Sequence, residues 1–328
     1  MDAVESIQDF HSDLSIDEVN ISFSDTDRTA FQTARMLLAT VEDVARTYHV
    51  DPDRVFLTGV SAGGHATWDV GLHHADRFAG LIPEAGMPIH EGGRVTRFMY
   101  LQNASSGPGM LALAGERDAT VAQICEEAIR QLQALGGDAE LVVVSNMGHA
   151  AYPSEDDRVF AWMGERLRSP APPKVFNRMH HLDQGRSFWV KATALAGAEW
   201  DASQPVKLRG TYDEDISKEV VFELARAQLS QELPWARASV EEGNRIEVKT
   251  AGISKLTVWL SPHLVGLARP LRLEVNQTTL WNRPVQADVG VLLAEMKRSW
   301  DLGRAYLAAL DCDLEAKVAR PLSTGKRP

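Results

Sequence analysis

The chain has 328 residues, 44% hydrophobic and 24% charged, enough apolar material for a sizeable core in one large domain or two ordinary ones. A net charge of −11 without a basic stripe excludes a nucleic-acid binder, and no apolar run is long enough to cross a membrane. The acidic N-terminus lacks the basic and apolar regions of a signal peptide, so the given start implies a cytoplasmic protein; a secreted or periplasmic one would begin upstream with a signal segment.

Residues 1–26 are polar, with one weak strand pattern at 19–23. Residues 28–49 carry Phe31, Ala34, Leu37, Leu38, Val41, Val44, Ala45 and Tyr48 at the three-and-four spacing of an amphipathic helix, with Thr26 or Asp27 as cap. Asp51-Pro52-Asp53 is a turn leading into a buried strand at 54–58. The glycine-rich stretch 59–64 follows, and a helical pattern starts at Gly64. A strand at 78–85, a loop at 86–96, a short apolar segment at 98–101 and a strand at 110–114 come next. The last of these runs into Gly115-Glu116-Arg117-Asp118. The pattern at 121–135 is a helix stopped by Gly136-Gly137; a strand at 141–145 precedes Asn146-Met147-Gly148-His149, and 154–167 reads as a helix capped by Ser154. Strand–helix alternation over 54–168 predicts a mostly parallel sheet covered by helices.

The proline-rich stretch 169–173 then marks a boundary. Beyond it, two-residue alternation at 187–192, 206–212, 245–249, 255–260 and 272–275, with a turn and Leu280, predicts a small antiparallel β-sandwich. Residues 218–228 fit helix or strand equally. A helix at 289–310 closes the chain before a disordered tail. The expected organisation is an α/β catalytic domain at 1–168, a linker at 169–175, a β-rich domain with its closing helix at 176–312 and a tail at 313–328.

The stretch Gly59-Val60-Ser61-Ala62-Gly63 matches G-x-S-x-G, and its strand–turn–helix setting is that of a nucleophile elbow. There a serine sits at a strained turn with its hydroxyl exposed, and side chains at Gly59 and Gly63 would collide with the neighbouring strand and helix. The Ala62 N–H at the helix N-terminus points where an acyl oxyanion forms. A serine hydroxyl is a poor nucleophile until a histidine takes its proton, and the histidine needs an acid to orient it. In chain order the sequence supplies Asp118 and His149, each on a loop at the carboxyl edge of the sheet, the edge that carries the elbow. Glu116 is the competing acid, two residues nearer its strand. Taken singly these are ordinary turn residues; order and edge placement behind an elbow carry the assignment.

Other candidates are structural. Cys125 and Cys312 read as unpaired thiols. His65 falls in the elbow helix. The pairs His73-His74 and His180-His181 cannot easily face one metal, and neither is read as having a carboxylate at ligand spacing on a helix. Trp68, Trp162 and Tyr152 read as core or pocket wall. Neither metal nor cofactor is expected.

Residues 51–86 resemble the elbow region of the α/β-hydrolase esterases that include feruloyl esterases and polyhydroxybutyrate depolymerases, and of related predicted peptidases. The matching motifs are Asp51-Pro52-Asp53-Arg54, the elbow, Thr67-Trp68 and Asp76-Arg77-Phe78-Ala79. The segments at 115–121 and 146–152 are similar to the family's acid and histidine loops, which implies Asp118 and His149 for those roles. The likeness covers about residues 28–168; residues 174–310 are similar to a β-domain appended to some bacterial hydrolases of this group.

The resemblance implies a serine hydrolase cleaving small or polymer-linked carboxylic esters. A serine peptidase using the same triad, or a catalytically impaired remnant whose β-domain binds carbohydrate or protein, are the alternatives. The family places several strands before the elbow, one followed by a His-Gly-type loop that supplies a second oxyanion N–H. Here 53 residues precede Arg54, with no such motif and at most one strand. The elbow strand is therefore expected at an open sheet edge, an association hazard. Truncation, a second copy of the chain or the segment near Val19 would account for that edge.

Overall fold

A computed structural model describes residues 7–8, 19–21, 30–90, 93–201, 204, 206–209, 216–301 and 304–322. Its centre is a four-stranded sheet in chain order, Phe56–Val60, Gly80–Glu84, Gly109–Gly115 and Ala139–Val144, every neighbouring pair parallel. The strands are apolar on both faces, as a helix-covered parallel sheet requires. Leu81, Met110, Ala112 and Ala114 pack with Trp68, Val70 and Leu72 of the elbow helix Ala62–His73 and with the helix Ala119–Ala134. On the opposite face Ile82, Leu111, Leu113, Val142 and Val144 pack with Tyr152 and with Trp162 of the helix Asp156–Gly164. Burying one such aliphatic side chain contributes roughly 1.5–3 kcal/mol, so the sheet fixes the loops at its carboxyl edge firmly.

The second half forms two five-stranded sheets. One runs in the order Thr278–Arg283, Leu271–Val275, Arg245–Ala251, Trp235–Glu241, Lys174–Arg178, and the other Val318–Pro321, Ala308–Asp313, Ile253–Leu260, Val190–Leu195, Arg186–Ser187. Both contribute to one core that includes Trp189, Ile246, Val258, Leu260, Leu273 and Leu310. Pairing is antiparallel except between Arg245–Ala251 and Leu271–Val275. The fold class is thus α/β with an antiparallel sandwich-like partner.

Several elements differ from expectation. Trp235–Glu241 is a central strand whose inward positions are Ala236 and Ala238, residues too small to give an apolar alternation. Lys174–Arg178 begins inside the expected linker. The closing helix stops at Ser299, because Trp300 turns left-handed (φ 51°), and Ala308–Asp313 is a strand. That strand pairs with Val318–Pro321, so order continues to Leu322 where a disordered tail was expected. Ser154 lies in a 3-10 turn, and the helix that follows begins at Asp156 without a side-chain cap.

Residues 218–228, undecided from sequence, belong to the helix Lys218–Glu232, capped by the Ser217 hydroxyl accepting from the Val220 N–H. Its Val221, Phe222, Ala225 and Leu229 enter the core of the parallel-sheet layer, and Arg226 donates to the Val95 carbonyl. Val19–Ile21 pairs with Ile7–Gln8 and with Val206–Leu208, not with the elbow strand. Among the described residues Phe56–Val60 has one hydrogen-bonded neighbour and so forms the open edge expected from sequence.

An ionic network joins the halves. Arg304 donates to the Asp76 carboxylate at 2.7 Å, and Arg186 lies 3.9 Å from it. Arg168 bridges Asp53 and Asp301 at 2.6 and 2.7 Å. Asp53 and Asp76 belong to the two aspartate–arginine motifs flanking the elbow. Among the described residues no helix is long and apolar enough to cross a membrane. Cys125 and Cys312 are both buried and free, and burial pushes each thiol up to about 12, far from a reactive thiolate.

Candidate active site

Ser61 sits between the elbow strand and helix at φ 55°, ψ −111°, a conformation costly for a residue with a Cβ. The turn holds because the Ser61 N–H donates to the Glu84 carbonyl of the next strand at 2.9 Å, while the Ser61 carbonyl accepts from His65. A Cβ on Gly59 would lie 2.6 Å from the backbone of Gly63, as anticipated. Gly63 itself faces open space, contrary to expectation; the crowded position is Gly64, whose Cβ would lie 2.5 Å from the Glu84 carbonyl oxygen and 2.9 Å from the Gly86 Cα. The elbow helix therefore rests on the end of the neighbouring strand through Gly64 and Gly86.

This contact can be tested directly. Gly64→Ala is expected to destabilise the protein by about 1–3 kcal/mol, because backbone atoms must move to admit the methyl group. Gly63→Ala should be nearly neutral in the same thermal unfolding measurement; equal losses at both positions would contradict this packing.

The three residues singled out from sequence converge. The Ser61 Oγ is 2.7 Å from His149 Nε2, and His149 Nδ1 is 2.6 Å from Asp118 Oδ2. One nitrogen faces the hydroxyl while the other faces the acid, so an imidazole protonated at Nδ1 presents a lone pair to the serine. The His149 side chain is half-exposed and that of Asp118 is largely covered, which leaves the serine side of the imidazole open to solvent. Asp118 precedes the helix Ala119–Ala134 but makes no cap hydrogen bond, which leaves its carboxylate for His149.

The two loops are tied to each other. The Arg117 N–H donates to the Met147 carbonyl at 2.8 Å, and Glu116 accepts from the Asn146 N–H at 2.7 Å. Glu116 therefore fastens the histidine loop and does not compete for the imidazole. Gly115 runs against the backbone of Met147 and Gly148, where a side chain would not fit. Tyr152, buried, donates its hydroxyl to the Gly148 carbonyl at 3.1 Å. The Ala62 N–H lies in the first helical turn, where N–H groups have no intrahelical acceptor. Burial lowers the His65 imidazole, whose Nδ1 lies 2.9 Å from the Met87 carbonyl oxygen. Trp68 is core, its indole N–H donating to the Gly86 carbonyl.

One expectation is overturned. Asp69 stands four residues before His73 on the elbow helix, and its carboxylate lies near both His73 and His90. The spacing was legible in the sequence; that the pair faces inward toward His90 was not, because His90 arrives from a loop after the next strand.

No protein-family model and no curated protein sequence matches the chain. Among solved structures it is similar to a thermostable esterase (19% identity, 43% of this chain and 40% of that chain, TM-score 0.36). It is similar also to the esterase PE8 (22% identity, 42% and 62%, TM-score 0.35) and to a carboxylesterase from Mesorhizobium loti (16% identity, 44% and 64%, TM-score 0.36). The chain spans 40%, 62% and 64% of the length of these three structures.

Proposed function

We propose that the protein is a serine hydrolase of carboxylic esters working through an acyl-enzyme. The observation that carries this is the relay from Ser61 Oγ through His149 to Asp118, at 2.7 and 2.6 Å, on a strained elbow. In the first step His149 Nε2 takes the proton of Ser61 as the oxygen bonds to the acyl carbon, and Asp118 stabilises the imidazolium. The carbonyl oxygen becomes an oxyanion beside the Ala62 N–H. Collapse expels the alcohol, protonated by His149, and water then attacks the acyl-serine by the same route, releasing acid and serine. The residues make no call on a metal or cofactor for this chemistry.

Ala62 is the single oxyanion donor that the elbow supplies; a second donor is typically worth roughly 10²–10³ in kcat. Modest turnover on small aryl esters is therefore expected unless a second copy completes the site at the open elbow-strand edge. The deciding experiment is labelling with a fluorophosphonate probe followed by peptide mapping. Modification confined to Ser61 and lost in His149→Ala establishes an activated serine. A folded wild type that resists the probe would overturn the proposal. Parallel assays on aryl esters and aminoacyl amides separate an esterase from a peptidase.

A further inference from the structure

We propose that Asp69, His73 and His90 form a binding site for one divalent transition metal, of which zinc fits best, at the base of the elbow helix. Each residue offers a ligand atom, and these atoms lie within 4.8 Å of one another. Asp69 Oδ1 is 2.8 Å from His90 Nδ1 and 3.2 Å from His73 Nδ1. Ligand atoms around a tetrahedral ion with bonds of about 2.0–2.1 Å stand about 3.3–3.4 Å apart, so the two Asp69 distances need only a small expansion. Two imidazoles and one carboxylate are donors that zinc and its first-row neighbours prefer, whereas calcium and magnesium require oxygen.

The histidines of the set are closed off from water. His73 and His90 are 3% and 1% exposed, and the Nε2 atom of each is buried without a hydrogen-bond partner. As a purely hydrogen-bonded cluster, His90 Nδ1 gives an N–H to the Asp69 carboxylate at 2.8 Å and His73 Nδ1 one to the Asp69 backbone carbonyl at 3.0 Å, and each ring buries a bare Nε2 lone pair at a cost of about 1–3 kcal/mol. A cation held by the Nδ1 lone pair of each ring and by the Asp69 carboxylate would replace both of these contacts and give the buried anion a counter-charge. Asp69 and His73 share one helix face a turn apart, and His90 comes from the segment that also carries Gly86. The ion would pin that segment to the elbow helix, beneath the Gly64–Gly86 contact that supports Ser61. It takes no part in the hydrolytic chemistry.

The test uses the full chain and needs no activity. The protein is unfolded, stripped with chelator, refolded with zinc or cobalt, and freed of loose metal by gel filtration. About one ion per chain, a visible cobalt absorption typical of tetrahedral coordination and a higher Tm than the chelator-refolded sample are expected. Asp69→Asn and His90→Gln should lose the ion and the absorption, while His263→Gln, altering an exposed histidine, should keep both. Wild type with the same Tm in zinc and in chelator, and no more metal than Asp69→Asn, would overturn the proposal. Should either variant fail to fold, the zinc-against-chelator comparison on the wild type decides alone.

Discussion

Ser61→Ala is expected to lower kcat/KM for an aryl ester by roughly 10⁴–10⁶, leaving the fold intact by circular dichroism. The size follows from what the side chain does: with no oxygen to attack, only water activated by the remaining groups can reach the acyl carbon. His149→Ala should cost about as much, because members of a relay fail together, and the double variant should be little worse than either single one. Asp118→Asn should fall by about 10⁴, since an amide can face Nδ1 with its N–H group and favour the wrong imidazole tautomer. Alanine at position 61 inherits the same positive φ, so stability should change little. A Ser61→Ala protein that keeps wild-type turnover would show that hydrolysis occurs elsewhere. Additive losses in the double variant would show that the two residues do not act as a unit.

Asp76→Ala is expected to destabilise the protein by about 3–5 kcal/mol, read as a lower urea midpoint. Asp76 is 3% exposed, Arg304 4%, and their link crosses between the parallel-sheet layer and the last part of the chain. Deleting the carboxylate leaves Arg304 with Asp301 at 3.1 Å and Arg186 with Glu295 at 2.9 Å, two cations out of water with one anion fewer between them. The penalty is the desolvation of those guanidinium groups, so a change that removes the partners together should cost far less than Asp76→Ala alone. A loss below 1 kcal/mol would mean that Asp301 and Glu295 satisfy the arginines without Asp76.

Acid titration provides a second readout of the same pair. Burial works against the charged form of Asp76, but Arg304, Arg186 and Arg77 outweigh it and hold the carboxyl well below its usual range. A group whose folded value is depressed contributes stability above its unfolded value, near 3.9, and loses it as pH falls through the folded one. The contribution of Asp76 should therefore be constant from neutral pH to about pH 4 and disappear only in stronger acid. Asp76→Asn should remove this acid-dependent component.

The sequence alone determined the parts whose physics is local. A run of apolar residues, a glycine-bracketed turn and a helical pattern identify the elbow, because the strained backbone at Ser61 tolerates few alternatives. Asp118 and His149 were legible for a topological reason: successive parallel strands deliver their loops to one edge, so chain order predicts proximity.

Only the tertiary structure decided the rest. Gly64 and Gly86, not Gly63, are the glycines that let the helix approach the neighbouring strand, because that crowding comes from residues 20 and 22 positions away. Trp235–Glu241 is a strand by virtue of its neighbours on both sides, its buried alanines carrying too little apolar area to announce it. The helix Lys218–Glu232 is stabilised by burying its apolar face on the parallel-sheet layer, an environment its own residues do not encode. Asp76, Arg168, Arg186, Asp301 and Arg304 read singly as surface charges; burial turns them into a network, because a charge out of water must find its opposite. The Asp69–His73–His90 cluster arises likewise, when a loop residue meets one face of a helix.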